Sequence, residues 1–488
     1  MTVVSEHRGS SPARRLPPLA EPPGSRWPLA ILLAGFGLLF TAAGIALRGS
    51  SWILPDGLLG GGIALIVCAP LARSMLEPLV VSSPFMFYTL SPVGGILTVG
   101  SSDALLPVFV FLLLAGAALA RGRRPRVVRP PVPAAMPLIM LTLLLCTAST
   151  VLWTVLSPDF LAARSIADTV KLAAGVGYLM VVFILVRRVG MEGALQSFRL
   201  WGWTATALSL GSLAGITGAV EIIPSDGYRS LGYFQDANLY AGYLLVSLSV
   251  LIFLGTVSTP AVSSRWLPVQ AVVILGGIVT TGSRGGMLSL ALLVAFATLI
   301  INSAKLRLMV LAGIGVVTAA GWWLLANRDS GVTVLGLDRL FFASKTQAVE
   351  DDPRVALWVR AIEKWLDAPI WGIGAGQFER FSGDVFRVAK SSGLGYVTHN
   401  SFLFFLVSFG VIGFGLFAYL LWWIVRDLYR APHLNRNAQH ALASGIVVIL
   451  SQMMTLNLQN LRYVWIYFGL VLGVAMLERG ERRGQQRP

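Results

Sequence analysis

The chain has 488 residues, of which 55% are hydrophobic and only 12% charged, with a mean hydropathy of +0.73. A soluble domain carries about 25% charged residues, so this composition excludes a globular protein with a solvated surface and makes lipid the natural solvent. The formal net charge of +15 invites a nucleic-acid reading. The cations, however, fall in short clusters between apolar runs, which is the positive-inside distribution of a membrane protein.

The chain opens with a Pro/Arg/Ser-rich tail, residues 1–26, read as disordered and cytoplasmic. It lacks the ordered parts of a signal peptide, and the first apolar run is read as a retained helix. Apolar runs then predict spans near 27–47, 53–72, 77–97, 103–120, 135–156, 168–186, 200–219, 238–256, 267–282, 286–302, 308–326, 400–425, 440–456 and 463–477. The third is interrupted by Pro78, Pro84 and Pro92, and the ninth and tenth are short, so the expected number is 12–14 transmembrane helices. The fold class expected is an all-α polytopic membrane protein occupying residues 27–477, followed by a basic cytoplasmic tail at 478–488.

Clusters such as Arg121–Arg129, Arg187–Arg199 and Arg426–Arg436 recur between alternate pairs of spans. This bias sets both termini inside, in a multi-pass arrangement. The two cysteines, Cys68 and Cys146, fall within apolar runs and offer neither a disulfide framework nor zinc spacing.

One connection stands apart. Residues 327–398 form a long outer-side loop, far beyond the usual connection length. Within it, Trp358, Ile362, Trp365 and Leu366 recur at helical spacing, which predicts an amphipathic helix over 355–366 lying on the outer leaflet. The following Gly372-Ile-Gly-Ala-Gly376 run reads either as a turn or as a backbone nest for an anion. Asp351 and Asp352 read as a solvated acidic pair.

Polar residues suited to chemistry gather at the outer ends of spans. Arg229 and Asn238 flank a short loop, and Arg284 sits in Gly282-Ser-Arg-Gly-Gly286 between two short runs. Arg354 precedes the amphipathic helix, and His399 with Asn400 stands where the long loop re-enters the membrane. An arginine held near the membrane suits a lipid-linked phosphate, which it can bind bidentately. A histidine there can act as a general base or hydrogen-bond a diphosphate. The bland alternatives are an interfacial anchor for Arg284 and a polar helix end for His399.

Taken in order, Arg229…Gly232…Asn238, Ser283-Arg-Gly-Gly286, Arg354…Leu357-Trp358, Pro369-Ile-Trp-Gly-Ile-Gly-Ala-Gly-Gln-Phe378 and His399-Asn400…Gly410…Gly413 resemble the O-antigen ligase and polymerase superfamily over about residues 200–425. The resemblance implies a GT-C-like bundle in the bacterial inner membrane. It also implies metal-independent, inverting glycosyl transfer without a cofactor. The donor would be a glycan on undecaprenyl diphosphate, and the acceptor a glycan or lipid A-core. Arg229, Arg284 and Arg354 would hold the diphosphate, Arg284 and His399 would be catalytic, and Asn238 and Asn400 secondary. The short companion loop, residues 228–238, favours ligase-type transfer over the polymerase alternative. A lipid-linked glycan flippase is the competing class, and it predicts charges along a midplane pathway rather than at span ends.

Overall fold

The structure is a computed structural model that describes, in the main, residues 33–42, 54–70, 74–90, 96–100, 161–216, 229–234, 236–257, 265–300, 353–383 and 396–477. The expected spans at 103–120, 135–156 and 308–326, both tails, Cys146 and the Asp351–Asp352 pair lie outside the described residues.

The protein is a polytopic membrane protein, helical among the described residues apart from one β-hairpin. Two N-terminal helices, α1 (Leu33–Ala42) and α2 (Leu54–Cys68), match the first two expected spans. The third expected span is corrected. It is a short buried helix, α3 (Leu76–Ser82), followed by a hairpin of β1 (Met86–Leu90) and β2 (Ile96–Gly100). The strands pair antiparallel with Met86 opposite Gly100 and Leu90 opposite Ile96. Pro78 is tolerated in the first turn of α3, where its missing N–H costs nothing, but Pro84 lies past the helix end and cannot extend it.

The helices α4 (Ala162–Ile216), α5 (Ala237–Thr256), α6 (Leu267–Thr280), α7 (Arg284–Ile300), α9 (Ser401–Tyr429), α10 (Arg436–Met453) and α11 (Arg462–Ala475) form the bundle, with α8 (Pro353–Asp367) beside it. Among the described residues, α4, α5 and α9 are long and apolar enough to cross a membrane on their own. Helix α4 comprises two expected spans joined at Gly190, whose φ of 70° and ψ of −168° break the helix. There Arg187 donates to the carbonyl of Met476, so the break sits where α11 ends.

Every residue of α11 is buried, which makes it the central post of the bundle. It packs on α4 through small residues. A Cβ on Gly469 would meet Leu179 O at 2.8 Å, and one on Gly473 would meet Val186 Cβ at 2.7 Å. Close backbone approach of this kind replaces the hydrophobic drive that lipid does not supply. Two buried groups illustrate how interior polar atoms find local partners, as membrane burial favours. The Trp201 indole donates to Ser247 Oγ at 2.9 Å, and the Tyr467 hydroxyl donates to Leu442 O at 2.7 Å.

Helix α9 is broken at Gly410, with φ 64° and ψ −166°. A break inside an apolar helix strands backbone groups, which cannot stay unpaired in lipid. Residues 369–374 supply the partners. Ile373 N–H and Gly374 N–H donate to Val407 O (2.8 Å) and Ser408 O (3.1 Å), while Val411 N–H and Ile412 N–H donate to Pro369 O (2.9 Å) and Ile370 O (3.5 Å). The fit leaves no room for side chains at the crossing. A Cβ on Gly410 would lie 2.1 Å from Ile370 O, and one on Gly372 2.4 Å from Phe409 N. The glycine run is therefore a splint for a broken helix, with the Gly372, Ile373 and Gly374 amides each bonded to a backbone carbonyl.

Candidate functional site

One end of the bundle gathers the starts of α4, α5, α7, α9 and α11 and the ends of α6 and α10. Asp236 caps α5, its side chain accepting from Asn238 N–H at 2.6 Å and Leu239 N–H at 3.3 Å. Ser283 caps α7 by accepting from Gly286 N–H at 3.0 Å, and its hydroxyl donates to Asn238 Oδ1 at 2.8 Å. Ser230 N–H donates to Thr280 O at 3.0 Å, which ties the Arg229 loop to the end of α6. These bonds bring Arg229, Asn238 and Arg284 into one junction. Arg284 occupies the first position of α7 and is exposed, while Arg229 is half-buried.

His399 arrives from the long loop. It has φ 47°, and among the described residues no other non-glycine has a positive φ. Next to it, Asn400 caps α9 by accepting from Leu403 N–H at 3.0 Å. The Ser401 hydroxyl donates to Leu456 O at 2.8 Å and accepts from Leu458 N–H at 2.8 Å. Helix α10 then links this region to Arg284, because Gln452 Nε2 donates to Gly285 O at 3.1 Å and to Ser289 Oγ at 2.8 Å. The other histidines of the bundle belong to the opposite end. There His433 bonds Val474 O at 2.8 Å and His440 bonds the Tyr429 hydroxyl at 3.1 Å.

The expected amphipathic helix is α8, and it has three faces rather than two. Leu357 and Ala361 are buried with Phe378 and Val407, against Trp365 and Leu403. Val359, Ile362 and Leu366 form a separate apolar stripe, 52%, 43% and 62% exposed. Between them runs a charged face that neutralises itself through Arg360–Glu363 (3.1 Å) and Lys364–Asp367 (2.8 Å). Arg354 lies one turn before Leu357, so the α8–α9 packing carries it beside the first turns of α9. It is the candidate least directly tied to the Arg284 junction.

Sequence reasoning missed a second anchor. Arg164 at the start of α4 contacts both carboxylate oxygens of Glu379 through Nη2, at 2.5 and 2.6 Å, with side chains only 12% and 7% exposed. Gln377 adds a two-way clasp to Leu161, accepting from its N–H at 3.0 Å and donating to its O at 3.1 Å. The long loop is thus pinned to α4 on one side and to the break of α9 on the other. The partners lie 215 and 216 residues apart, and no local pattern marks them.

Residues 269–418 match a family model described as O-Antigen ligase. The matched stretch includes Arg284, Arg354, His399 and the splinted break, and excludes Arg229 and Asn238. The matched stretch is about a third of the chain and supports a likeness to the ligase/polymerase superfamily. No curated protein matches the chain.

Proposed function

We propose that the chain is a member of the O-antigen ligase/polymerase superfamily, whose family model it matches over 269–418, and that it transfers a glycan from undecaprenyl diphosphate to an acceptor hydroxyl. The reaction takes place on the outer face of the bacterial inner membrane, with both termini cytoplasmic. The observation that carries the reading is Arg284 at the first position of α7. A cation there faces the positive end of the helix dipole, at a cost of about 0.3–1 kcal/mol. An anion at the same place reverses the sign, since guanidinium and first-turn N–H groups then converge on it. Arg229 adds charge from the joined loop, and Arg354 from α8.

In the reaction, the bond between the anomeric carbon and the diphosphate oxygen breaks as the acceptor oxygen bonds that carbon from the opposite face, inverting it. Negative charge builds on the leaving diphosphate, where Arg284, Arg229 and Arg354 stabilise it electrostatically. The acceptor proton passes to His399 where that residue is the base. It passes to the departing diphosphate where His399 instead binds that group. Asn238 and Asn400 hold the loops that present these groups. The pinned loop keeps water from the activated carbon, so that transfer outpaces hydrolysis.

Ligase-type transfer onto lipid A-core or another finished acceptor is favoured, since one outer loop is long and its companion short. Deleting the gene is expected to leave full-length, lipid-linked chains unattached, as read by electrophoresis and mass spectrometry of extracted lipids. Accumulation of single lipid-linked repeats would instead assign a polymerase, and normal surface glycan would remove both.

The outer stripe of α8 fits the acyl boundary of the outer leaflet. Ile370, Trp371 and Val411 at the break of α9 are exposed as well, and the charged face of α8 is neutral in sum, so apolar burial rather than charge would hold the helix there. Spin labels at Val359→Cys, Ile362→Cys and Leu366→Cys in liposomes are expected to collide with oxygen and be shielded from a nickel chelate. Labels at Glu363→Cys and Asp367→Cys are expected to show the reverse. Chelate access along the stripe would place α8 in water.

A further inference from the structure

The turn between α10 and α11, residues 454–461, contains no residue that the reaction above uses, yet it is stitched to His399 from both sides. We propose that Asn457 is a positioning residue that holds His399 in its left-handed backbone conformation, and that its turn sets the separation between His399 and Arg284. The proposal rests on the reading of His399 as part of the site.

A histidine at φ 47° occupies a region that side chains with a Cβ enter only when their surroundings over-determine it. Asn457 provides that constraint. Its Oδ1 accepts from Asn400 N–H at 3.0 Å and lies 3.1 Å from Thr398 Oγ1, the residues on either side of His399. A backbone N–H can only donate, which fixes the carboxamide with its oxygen inward. The Thr398 hydroxyl also lies 2.9 Å from Asn400 O, so its one proton serves either acceptor and closes the bracket around His399. The two bonds of Ser401 to Leu456 and Leu458 lock the next residue to the same turn.

The end of α10 that leads into this turn also reaches Arg284. Residue 452 ends the last turns of α10, and its amide nitrogen bonds Gly285 O at 3.1 Å, immediately beside Arg284. One short stretch of chain, Gln452 to Leu458, thus bonds the backbone next to both candidate groups. Displacement of a reacting group by about 1 Å costs on the order of a hundredfold in rate, so a shared frame for two groups from distant segments has a direct catalytic consequence.

The test compares Asn457→Leu, which removes the acceptor, with Asn457→Asp, which keeps an oxygen acceptor at the same place. In the full-length protein in detergent, carbethoxylation of His399 by diethylpyrocarbonate is followed by peptide mass, with His433 at the opposite end as internal reference. Asn457→Leu is expected to change the His399 rate several-fold at constant His433 rate, and Asn457→Asp to leave both as in the wild type. In cells lacking the gene, Asn457→Leu should lower surface glycan on the order of a hundredfold, and Asn457→Asp should restore it. Equal His399 rates in Asn457→Leu and wild type, or an Asn457→Asp variant as damaged as Asn457→Leu, would overturn the proposal. If Asn457→Leu alters His433 too, the chain has misfolded, and Thr398→Val decides by the same His399 rate. A wild-type glycan profile in His399→Ala cells would sink the functional reading of His399, and it leaves the carbethoxylation comparison untouched.

Discussion

Arg284→Ala is expected to abolish surface-glycan assembly while the protein still reaches and folds in the membrane. The two effects separate because the cap of α7 belongs to a neighbour. Ser283 caps α7 and bonds Asn238, whereas the Arg284 side chain is exposed. Removing one electrostatic donor from a charge-developing site costs roughly a hundred- to a thousandfold in turnover. Arg284→Lys is expected to recover only part of this, since an ammonium cannot match the bidentate fork of a guanidinium on a phosphate. Gel profiles of surface glycan, set against the amount of membrane-extracted protein, check the expectation. Unchanged glycan in both Arg284→Ala and His399→Ala would remove the assignment.

The second large effect is structural. Gly410→Ala should disengage the splint from α9. The added Cβ would sit 2.1 Å from Ile370 O, at a φ of 64° that favours glycine. Backbone, not a pliable side chain, is what it strikes, so the loop must withdraw. Each buried backbone group then left without a partner costs about 1–3 kcal/mol, and four such bonds cross the break. Faster proteolysis within residues 354–398 and a lower melting temperature in detergent are expected. Gly415→Ala in the same helix is the control, because a Cβ there meets nothing within 4 Å. An equal loss in both variants would mean that α9 merely dislikes alanine, and the splint would carry no special weight.

Legibility in the sequence followed the range of the interactions. The cores of α4, α5, α6, α7, α9, α10 and α11 are readable because a sustained apolar run reports its solvent directly. Helix α8 was readable from the spacing of Trp358, Ile362, Trp365 and Leu366, although its second apolar face was not distinguished from the first. The hairpin at 86–100 reads as part of a span in sequence, since its residues are as apolar as a helix and period alone does not separate the two over so short a run. Arg284 and His399 were visible as rare polar residues at span ends. Asn457 is not, because its meaning lies in bonds to residues 57 and 59 positions away, and one amide beside Gln459 and Asn460 between two spans reads as an ordinary turn. The role of the glycine run was hidden for the same reason. Backbone bonds to a broken helix leave no mark in composition beyond the glycines themselves.

The splint has a consequence for biogenesis. Residues 369–374 leave the ribosome before residues 407–412. In the proposed orientation they already stand on the far side of the membrane when the break in α9 is threaded in. The chain's own order thus delivers the partners ahead of the groups that need them, and α9 can enter lipid as two short pieces without a spell of exposed, unbonded backbone. A circular permutation that placed 353–383 after α9 would keep every contact of the finished fold and lose that timing, so its yield at the membrane, rather than its stability once extracted, is where the damage would appear.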